Sequence, residues 1–227
     1  MNPSHNLRDR KPDLSPFLFH FTSGDNPLGN ICSIINEKKL ICKMECEEYQ
    51  KAICFTESPI TLSSDVFSYM HLWPKPIFSK YGIAFKRDVL INGFNARPVI
   101  YGDIKEQGIL PIEFQWRFLL LDVKRYDYQW LREWRIKGIE FDFSNISEDD
   151  YIIIAPTKDE LKKLISYPEF DDIDFDYDHG VSHAYAIYKS SRHLKGISFD
   201  ELGNYGNDRE LEITTDRQEI GEEIIED

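Results

Sequence analysis

His20 and Thr22 are the first residues whose types and spacing suggest chemistry. They belong to FLFHFT at 17–22, which predicts a strand with the phenylalanines on one face and both polar side chains on the other. An imidazole and a hydroxyl two residues apart can together hydrogen-bond the hydroxyls of a ribose. The alternative for this pair is a hydrogen-bonded, half-buried histidine beside a surface threonine.

Glu133 and Arg135 form a second candidate pair, in the segment WLREWRI at 130–136. If this segment is a strand, its tryptophans and Ile136 face the core and the two charged side chains face the other way. A carboxylate fixed on a strand can stabilise a developing cation or accept a proton from a hydroxyl. The alternative is an ion pair at the surface, which contributes little to stability.

Two further groups of residues extend the candidate site. The predicted strand AICFTE, at 52–57, ends in Phe55, Thr56 and Glu57. These side chains can line the rim of a pocket, although the Ser-Pro dipeptide that follows them is also ordinary turn chemistry. The second group is basic and brackets one strand–turn–strand unit: Lys86, Arg87 and Arg97. Its members can bind a pyrophosphate or can be solvated surface charges.

Metal-binding and nucleotide-binding motifs are not found in the sequence. The alternate aspartates of the acidic run at 169–178 suggest an EF-hand loop, but Tyr177 occupies the position of its glycine and His183 that of its final glutamate. The spacing of the four cysteines fits no zinc site. Gly180 breaks the helix that His179 and His183 need in order to share a metal. Neither GxGxxG nor a P-loop is present.

The composition indicates a folded chain with acidic appendages. Of 227 residues, 41% are hydrophobic and 30% are charged, which excludes a disordered or fibrous chain. No apolar run approaches the roughly 18 residues of a membrane helix. Two stretches, 169–178 and 208–227, account for the formal net charge of −13. We expect both to be peripheral, the first as a solvated loop, and this charge argues against bulk electrostatic capture of a nucleic acid.

The hydrophobic patterns predict an α+β fold whose strands carry the candidate residues. A helix of about twelve residues is expected after Asn26 as its N-cap, and another over 60–71. A third, at 157–165, begins with the capping box of Thr157 and Glu160. The predicted strands are 17–22, 52–57, 81–85, 97–102, 117–123, 130–136, 139–143, 151–155 and 184–189. Because strands follow one another from about 97 to 155, we do not expect a doubly wound sheet.

The expected organisation is a mobile arm at 1–15, a core at 16–168, and an acidic loop, a last strand and an acidic tail at 169–227. The start of the sequence has no signal-peptide pattern, and the cysteines are most simply reduced thiols. These features predict a cytoplasmic protein that is not bound to a membrane.

Three motifs, taken in order, resemble those of a known family. FHFTSGDNPLGNI at 19–31 resembles the opening motif of DarT-type ADP-ribosyltransferases, in which His-x-Thr and Asp-Asn precede a helix. CFTESP at 54–59 resembles their strand that ends in Ser-Pro, and WLREWRIKG at 130–138 resembles their late strand with the catalytic glutamate. The order HFT, CFTE-x-P, YGI-x-F-x-K/R, PV-x-Y and EWR also resembles the AbiGi-like phage-resistance proteins, over about half of the chain.

The resemblance implies an ADP-ribosyltransferase-like fold, a split mixed or antiparallel sheet with N-terminal helices, and NAD as the substrate. By this resemblance Glu133 is the catalytic carboxylate, and His20 and Thr22 hold the nicotinamide ribose or the nicotinamide amide. Asn26 would contact NAD from the start of the helix. The remaining residues expected to bind NAD are Phe55, Thr56, Arg87 and Arg135. Its site is thus expected in a cleft between the His20 and Glu133 strands.

The chain departs from the DarT-type pattern at Glu57, where those enzymes have an arginine before Ser-Pro. Arg87 or Arg135 is the candidate replacement for that charge. The leading hypothesis is therefore an ADP-ribosyltransferase, or a NAD glycohydrolase, acting as toxin or effector in bacterial phage defence by abortive infection or in a toxin–antitoxin system. The alternative is an inactive binding protein, an antitoxin or immunity component or a nucleic-acid mimic, whose acidic segments are its working surface.

The resemblance also suggests two kinds of partner. In the enzyme hypothesis the acceptor of ADP-ribose is a nucleic acid or a protein. An antitoxin or another protein of the defence complex would bind the acidic segments.

Overall fold

A computed structural model describes residues 13–69, 78–121, 128–166, 169–178, 181–189 and 194–215. The fold is α+β, with one large mixed sheet that is covered on both faces. Among the described residues, no helix has both the length and the apolar character needed to cross a membrane.

The described part of the chain contains five α-helices and fourteen strands. The helices are α1 (Pro27–Glu37), α2 (Ile60–Tyr69), α3 (Arg87–Gly93), α4 (Ile104–Ile109) and α5 (Lys158–Ile165). The strands are β1 (Phe17–Phe21), β2 (Lys39–Ile41), β3 (Ala52–Thr56), β4 (Gly82–Lys86), β5 (Arg97–Pro98), β6 (Ile100–Gly102), β7 (Phe118–Leu120), β8 (Glu133–Lys137), β9 (Glu140–Asp142), β10 (Tyr151–Ala155), β11 (Glu169–Asp178), β12 (Val181–Lys189), β13 (Lys195–Ser198) and β14 (Thr214–Thr215). Short 3-10 helices cover Glu48–Gln50, Ile112–Arg117, Tyr128–Leu131, Glu148–Asp150 and Phe199–Asn204.

The large sheet has the strand order β14-β13-β10-β4-β1-β3-β8-β5, and within it only β10 and β13 pair in parallel. Strands β1 and β4 are matched along their whole length, and so are β3 and β8. Strands β1 and β3, by contrast, are matched only where Phe19 lies opposite Thr56. The sheet therefore opens between β1 and β3. One part consists of β14, β13, β10, β4 and β1, and the other of β3, β8 and β5.

The alternation of FLFHF distributes β1 between two apolar cores. Phe17, Phe19 and Phe21 pack with α2 and with the 3-10 helix Phe199–Asn204 on one face. Leu18 packs on the opposite face, in the core that α1, α3 and α5 cover. Each fully buried side chain of this size contributes about 1.5–3 kcal/mol to folding.

The helix starts predicted from the sequence are confirmed. The Asn26 side chain accepts a hydrogen bond from the Gly29 amide (3.0 Å) at the start of α1, and Pro27 fills the first helical position. Thr157 caps α5 by accepting from the Glu160 amide. Helix α2 is described only as far as Tyr69, and 70–71 of its predicted range lie outside the described residues.

Three predicted strands differ in the structure. The segment 130–136 is not one strand, because a 3-10 turn ends at Leu131 and β8 begins only at Glu133. Strand 117–123 is reduced to Phe118–Leu120, with Leu120 exposed, and it is not the buried strand we expected; its last two residues lie outside the described ones. Segment 97–102 is divided into β5 and β6.

The acidic and terminal segments also differ from expectation. The run at 169–178 is not a loop: it is strand β11, which forms a two-stranded hairpin with β12. The arm at 1–15 is fixed at its end, where Ser15 is fully buried, while 1–12 lie outside the described residues. In the acidic tail, Asp208 is buried and not peripheral.

Candidate functional site

A cavity of about 440 Å³ occupies the opening between β1 and β3. This volume lies within the range of small-molecule sites. Its wall is formed by β1 and the residues after it, by α1, by β2 and the loop that follows, by β3, and by two residues near the start of β8. Among the residues that line it are His20, Thr22, Lys43, Cys54, Phe55, Thr56 and Glu133.

Five of the eight predicted site residues line this one cavity: His20, Thr22, Phe55, Thr56 and Glu133. By register, Glu133 shares a sheet face with Thr56 and Phe19, so His20 belongs to the opposite face. We expected the polar faces of both strands to meet on one side of the sheet. His20 and Glu133 lie on opposite faces, but the sheet is open at this point. Side chains from both faces therefore reach the same cavity.

A side-chain hydrogen bond of His20 links β1 to β3 where backbone pairing between the two strands is missing. The His20 Nδ1 lies 2.8 Å from the carbonyl oxygen of Cys54, so this nitrogen carries the proton and donates it. Burial lowers the pKa of His20, and the nearby positive charge of Lys43 lowers it further. The ring is therefore neutral near pH 7, and Nε2 is left as a hydrogen-bond acceptor.

Thr22 has a structural role in addition to its place on the wall. Its hydroxyl lies 2.7 Å from the Ser79 hydroxyl and 3.2 Å from the Tyr81 carbonyl oxygen. These contacts tie the end of β1 to the residues before β4. The Thr22 side chain is buried, and its hydroxyl proton already has carbonyl and hydroxyl partners inside the protein.

Glu133 is held in place by Arg135 from the same strand. The Arg135 Nε donates to Glu133 Oε1 at 2.7 Å, and its Nη1 donates to the carbonyl oxygens of Trp116 (3.0 Å) and Phe118 (2.9 Å). The Glu133 side chain is only 12% exposed, and the Arg135 side chain is only 5% exposed. Burial opposes the charge of Arg135, but the acidic neighbours outweigh it and raise the pKa of Arg135. A fixed carboxylate therefore faces the cavity.

Cys54 lies beside this pair, on the same face of the sheet. Burial, and then the negative charge of Glu133, raise the pKa of Cys54 far above its usual range. Cys54 is therefore a neutral thiol at physiological pH, next to the Glu133 carboxylate.

The backbone before Glu133 is strained and firmly anchored. Arg132 has a φ of 46°, a left-handed conformation that is unfavourable for a side chain with a Cβ. Its Nη2 pairs with the Asp13 carboxylate at 2.8 Å, and its carbonyl accepts from the Glu57 amide at 3.3 Å. The Thr56 hydroxyl donates to the carbonyl of Leu131. Strain of this kind persists only where the surroundings impose it, and here it directs Glu133 into the cavity.

Asn26, Arg87 and Arg135 do not line the cavity, in contrast to the prediction that they contact NAD. Asn26 uses its side-chain oxygen to cap α1. Arg135 lies behind Glu133 and uses its donors there.

Arg87 forms a partly buried cluster with Glu57 and Trp134, none of which lines the cavity. The Glu57 carboxylate accepts from Arg87 Nε at 2.9 Å and from Trp134 Nε1 at 2.9 Å. The guanidinium also lies 4.8 Å from the centre of the Trp134 ring. Glu57, which replaces the arginine of the DarT-type pattern, therefore does not line the cavity, and neither does Arg87.

The other two basic residues considered for a pyrophosphate also have partners elsewhere. Lys86 pairs with Asp150 at 2.8 Å, and Arg97 donates to the carbonyl oxygens of Ile91 and Ala96. Sequence reasoning missed Lys43 and Cys54, which do line the cavity. Alternation in AICFT places Cys54 opposite Phe55, but Lys43 lies in a loop whose position no periodic pattern predicts.

Within the described ranges, no cluster of three or more His, Cys, Asp or Glu side chains could hold a metal ion. Comparison of the chain with protein-family models, with curated proteins and with solved structures finds no match.

Proposed function

We propose that this protein is a NAD-consuming ADP-ribosyltransferase with an ADP-ribosyltransferase-like split sheet, and that it acts as a NAD glycohydrolase when water is the acceptor. The observation that carries the proposal is the Glu133 carboxylate, fixed by Arg135 on the wall of a cavity that opens through the sheet. A nucleic acid or a protein is the proposed acceptor. The proposed biological role is that of an effector or toxin in bacterial phage defence.

The reaction needs one group that stabilises positive charge. The bond between the ribose C1′ and the nicotinamide nitrogen breaks, and its electron pair neutralises the pyridinium. Positive charge develops on the ribose, where the Glu133 carboxylate stabilises it in a site largely shielded from water. The acceptor oxygen or nitrogen then bonds to C1′, and its proton passes to Glu133 or to solvent.

His20 and Thr56 support this assignment because of their protonation and contacts. A neutral His20 with Nε2 as acceptor can receive a hydrogen bond from a ribose hydroxyl. Thr56 spends its proton on the Leu131 carbonyl and thereby fixes the turn before Glu133. In this arrangement His20 binds the substrate, and Thr56 positions the carboxylate.

The test measures whether the protein consumes NAD. NAD labelled in its adenylate part is incubated with the protein alone and with DNA, RNA or total cell protein, and with heat-denatured protein as the control. A transferase releases nicotinamide and leaves the label on one acceptor, whereas a glycohydrolase releases free ADP-ribose. Undiminished NAD with every acceptor would contradict the proposal and favour the inactive binding protein.

A further inference from the structure

Four charged side chains line the described wall of the cavity: Glu37, Lys39, Lys43 and Glu133. Three of them already have partners of their own. Glu133 is paired with Arg135, Lys39 lies 2.9 Å from Glu140, and the Glu37 carboxylate accepts from the Ser33 hydroxyl at 2.5 Å. Glu37 and Lys39 are thus engaged within the protein, and Glu133 is the carboxylate that the proposed reaction uses.

Lys43 is different. No carboxylate among the described residues lies within 4.0 Å of its ammonium group, and it forms no hydrogen bond within that part of the chain. Lys43 is exposed and lines the same cavity as His20, and its positive charge makes a minor contribution to the lowered pKa of His20. An unpaired ammonium at a cavity wall, within electrostatic reach of the ring proposed to bind ribose, is suited to an anion attached to that ribose.

We infer that Lys43 is the anion-binding residue of the cavity and that it binds the diphosphate of a dinucleotide whose ribose lies between His20 and Glu133. This inference rests on the proposed function and adds to it the residue that selects a phosphorylated ligand. It also accounts for the missing arginine at position 57. The charge that binds the phosphates comes from the loop after β2 and not from the strand end at Glu57.

The experiment compares two ligands that differ only in the phosphate-bearing half. Affinities of NAD and of nicotinamide riboside are measured by calorimetry for the wild-type protein, K43M and K43R. The matched control is K39M, since Lys39 lines the same cavity but is paired with Glu140. K43M should weaken NAD binding by roughly 10- to 100-fold and leave nicotinamide riboside within about threefold, while K43R should retain most of the affinity.

A parallel titration separates this inference from the proposed function. Pyrophosphate binding is followed through the imidazole signals of His20 in the NMR spectrum of the wild-type protein and of K43M. Pyrophosphate that binds only when Lys43 is present, with no binding of NAD, would support the anion site and contradict the NAD reaction. NAD binding that is unchanged in K43M, or weakened equally for both ligands, would overturn the role of Lys43. Binding of neither ligand to the wild-type protein would overturn both.

Discussion

Two glutamate–arginine pairs lie on neighbouring strands and have opposite environments. Glu57, just after β3, and Glu133, at the start of β8, are both largely buried and each accepts from the Nε of an arginine, at 2.9 and 2.7 Å respectively. The second oxygen of the Glu57 carboxylate accepts a hydrogen bond from Trp134 Nε1. The Glu133 carboxylate is paired with Arg135 and lines the cavity.

The difference shows that a buried ion pair is not by itself evidence of a site. Both carboxylates are fixed by an arginine, but only one adjoins space that a ligand can occupy. The Glu57 pair does not line the cavity, whereas the Glu133 carboxylate does. We therefore expect the first pair to contribute to stability alone, and the second is the pair that the proposed reaction uses.

A large effect on stability is expected for Glu57→Gln. This change leaves Arg87, which is partly buried, with only the exposed Asp88 carboxylate at 3.4 Å as a counter-ion among the described residues, and it should lower the free energy of unfolding by up to about 3 kcal/mol. Urea unfolding measures this loss. Glu140→Gln is the control, because Glu140 pairs with Lys39 at the surface and should change stability by less than about 1 kcal/mol. Equal effects of the two changes would mean that the Glu57 pair is not a buried structural pair.

Trp134→Phe should have a smaller effect at the same place. Phenylalanine retains a ring for Arg87 to lie over but removes the indole N–H that donates to Glu57. The lost hydrogen bond to a charged group should lower the free energy of unfolding by roughly 1.5–3 kcal/mol. Nicotinamide release should stay unchanged, since neither side chain lines the cavity, and a loss of turnover at full stability would contradict the separation of the two pairs.

The strand alternation in β1 and β8 and the caps of α1 and α5 could be predicted from the sequence, because each depends on neighbouring residues. The choice of Glu133 as a wall residue also came from alternation in WLREWRI. The opening of the sheet could not be predicted, because it depends on β1 and β3 pairing at a single position. The left-handed backbone of Arg132, which ends the predicted strand early, likewise has no signal in the residue itself.

Asp208 shows how composition misled the reading of the acidic tail. Its carboxylate accepts from the Ile60 and Thr61 amides, both at 3.0 Å, at the start of α2, and from the Ser15 hydroxyl at 2.6 Å. A count of charges cannot distinguish this residue from a solvated one, because the partners are about 150 residues away along the chain. Removing 208–227 should therefore destabilise the fold, contrary to the expectation from charge alone.

The smallest effect is expected in the pH dependence of stability, through His20 on the cavity wall. The pKa of His20 is lowered below 6.5, mainly by burial, so the unfolded chain binds more protons than the folded one just below pH 6.5. The contribution of neutral His20 to stability is therefore complete above pH 6.5 and is lost as the pH falls below that value. His20→Gln should make the decrease in stability between pH 7 and pH 5 shallower than in the wild-type protein. An unchanged pH dependence in the variant would show that His20 is not buried as a neutral ring.

The most direct test of the account measures two properties of Glu133→Gln and Glu57→Gln side by side: the rate of nicotinamide release from NAD and the free energy of unfolding. We predict that Glu133→Gln slows release by about 10²- to 10³-fold, because a fixed charge at the reacting ribose is lost. Glu57→Gln should release nicotinamide at the wild-type rate per folded molecule, and both variants should be less stable than the wild type, because each change removes a carboxylate partner from a largely buried arginine. Wild-type release by Glu133→Gln, with the slow rate in Glu57→Gln, would contradict the assignment of chemistry to the cavity between β1 and β3.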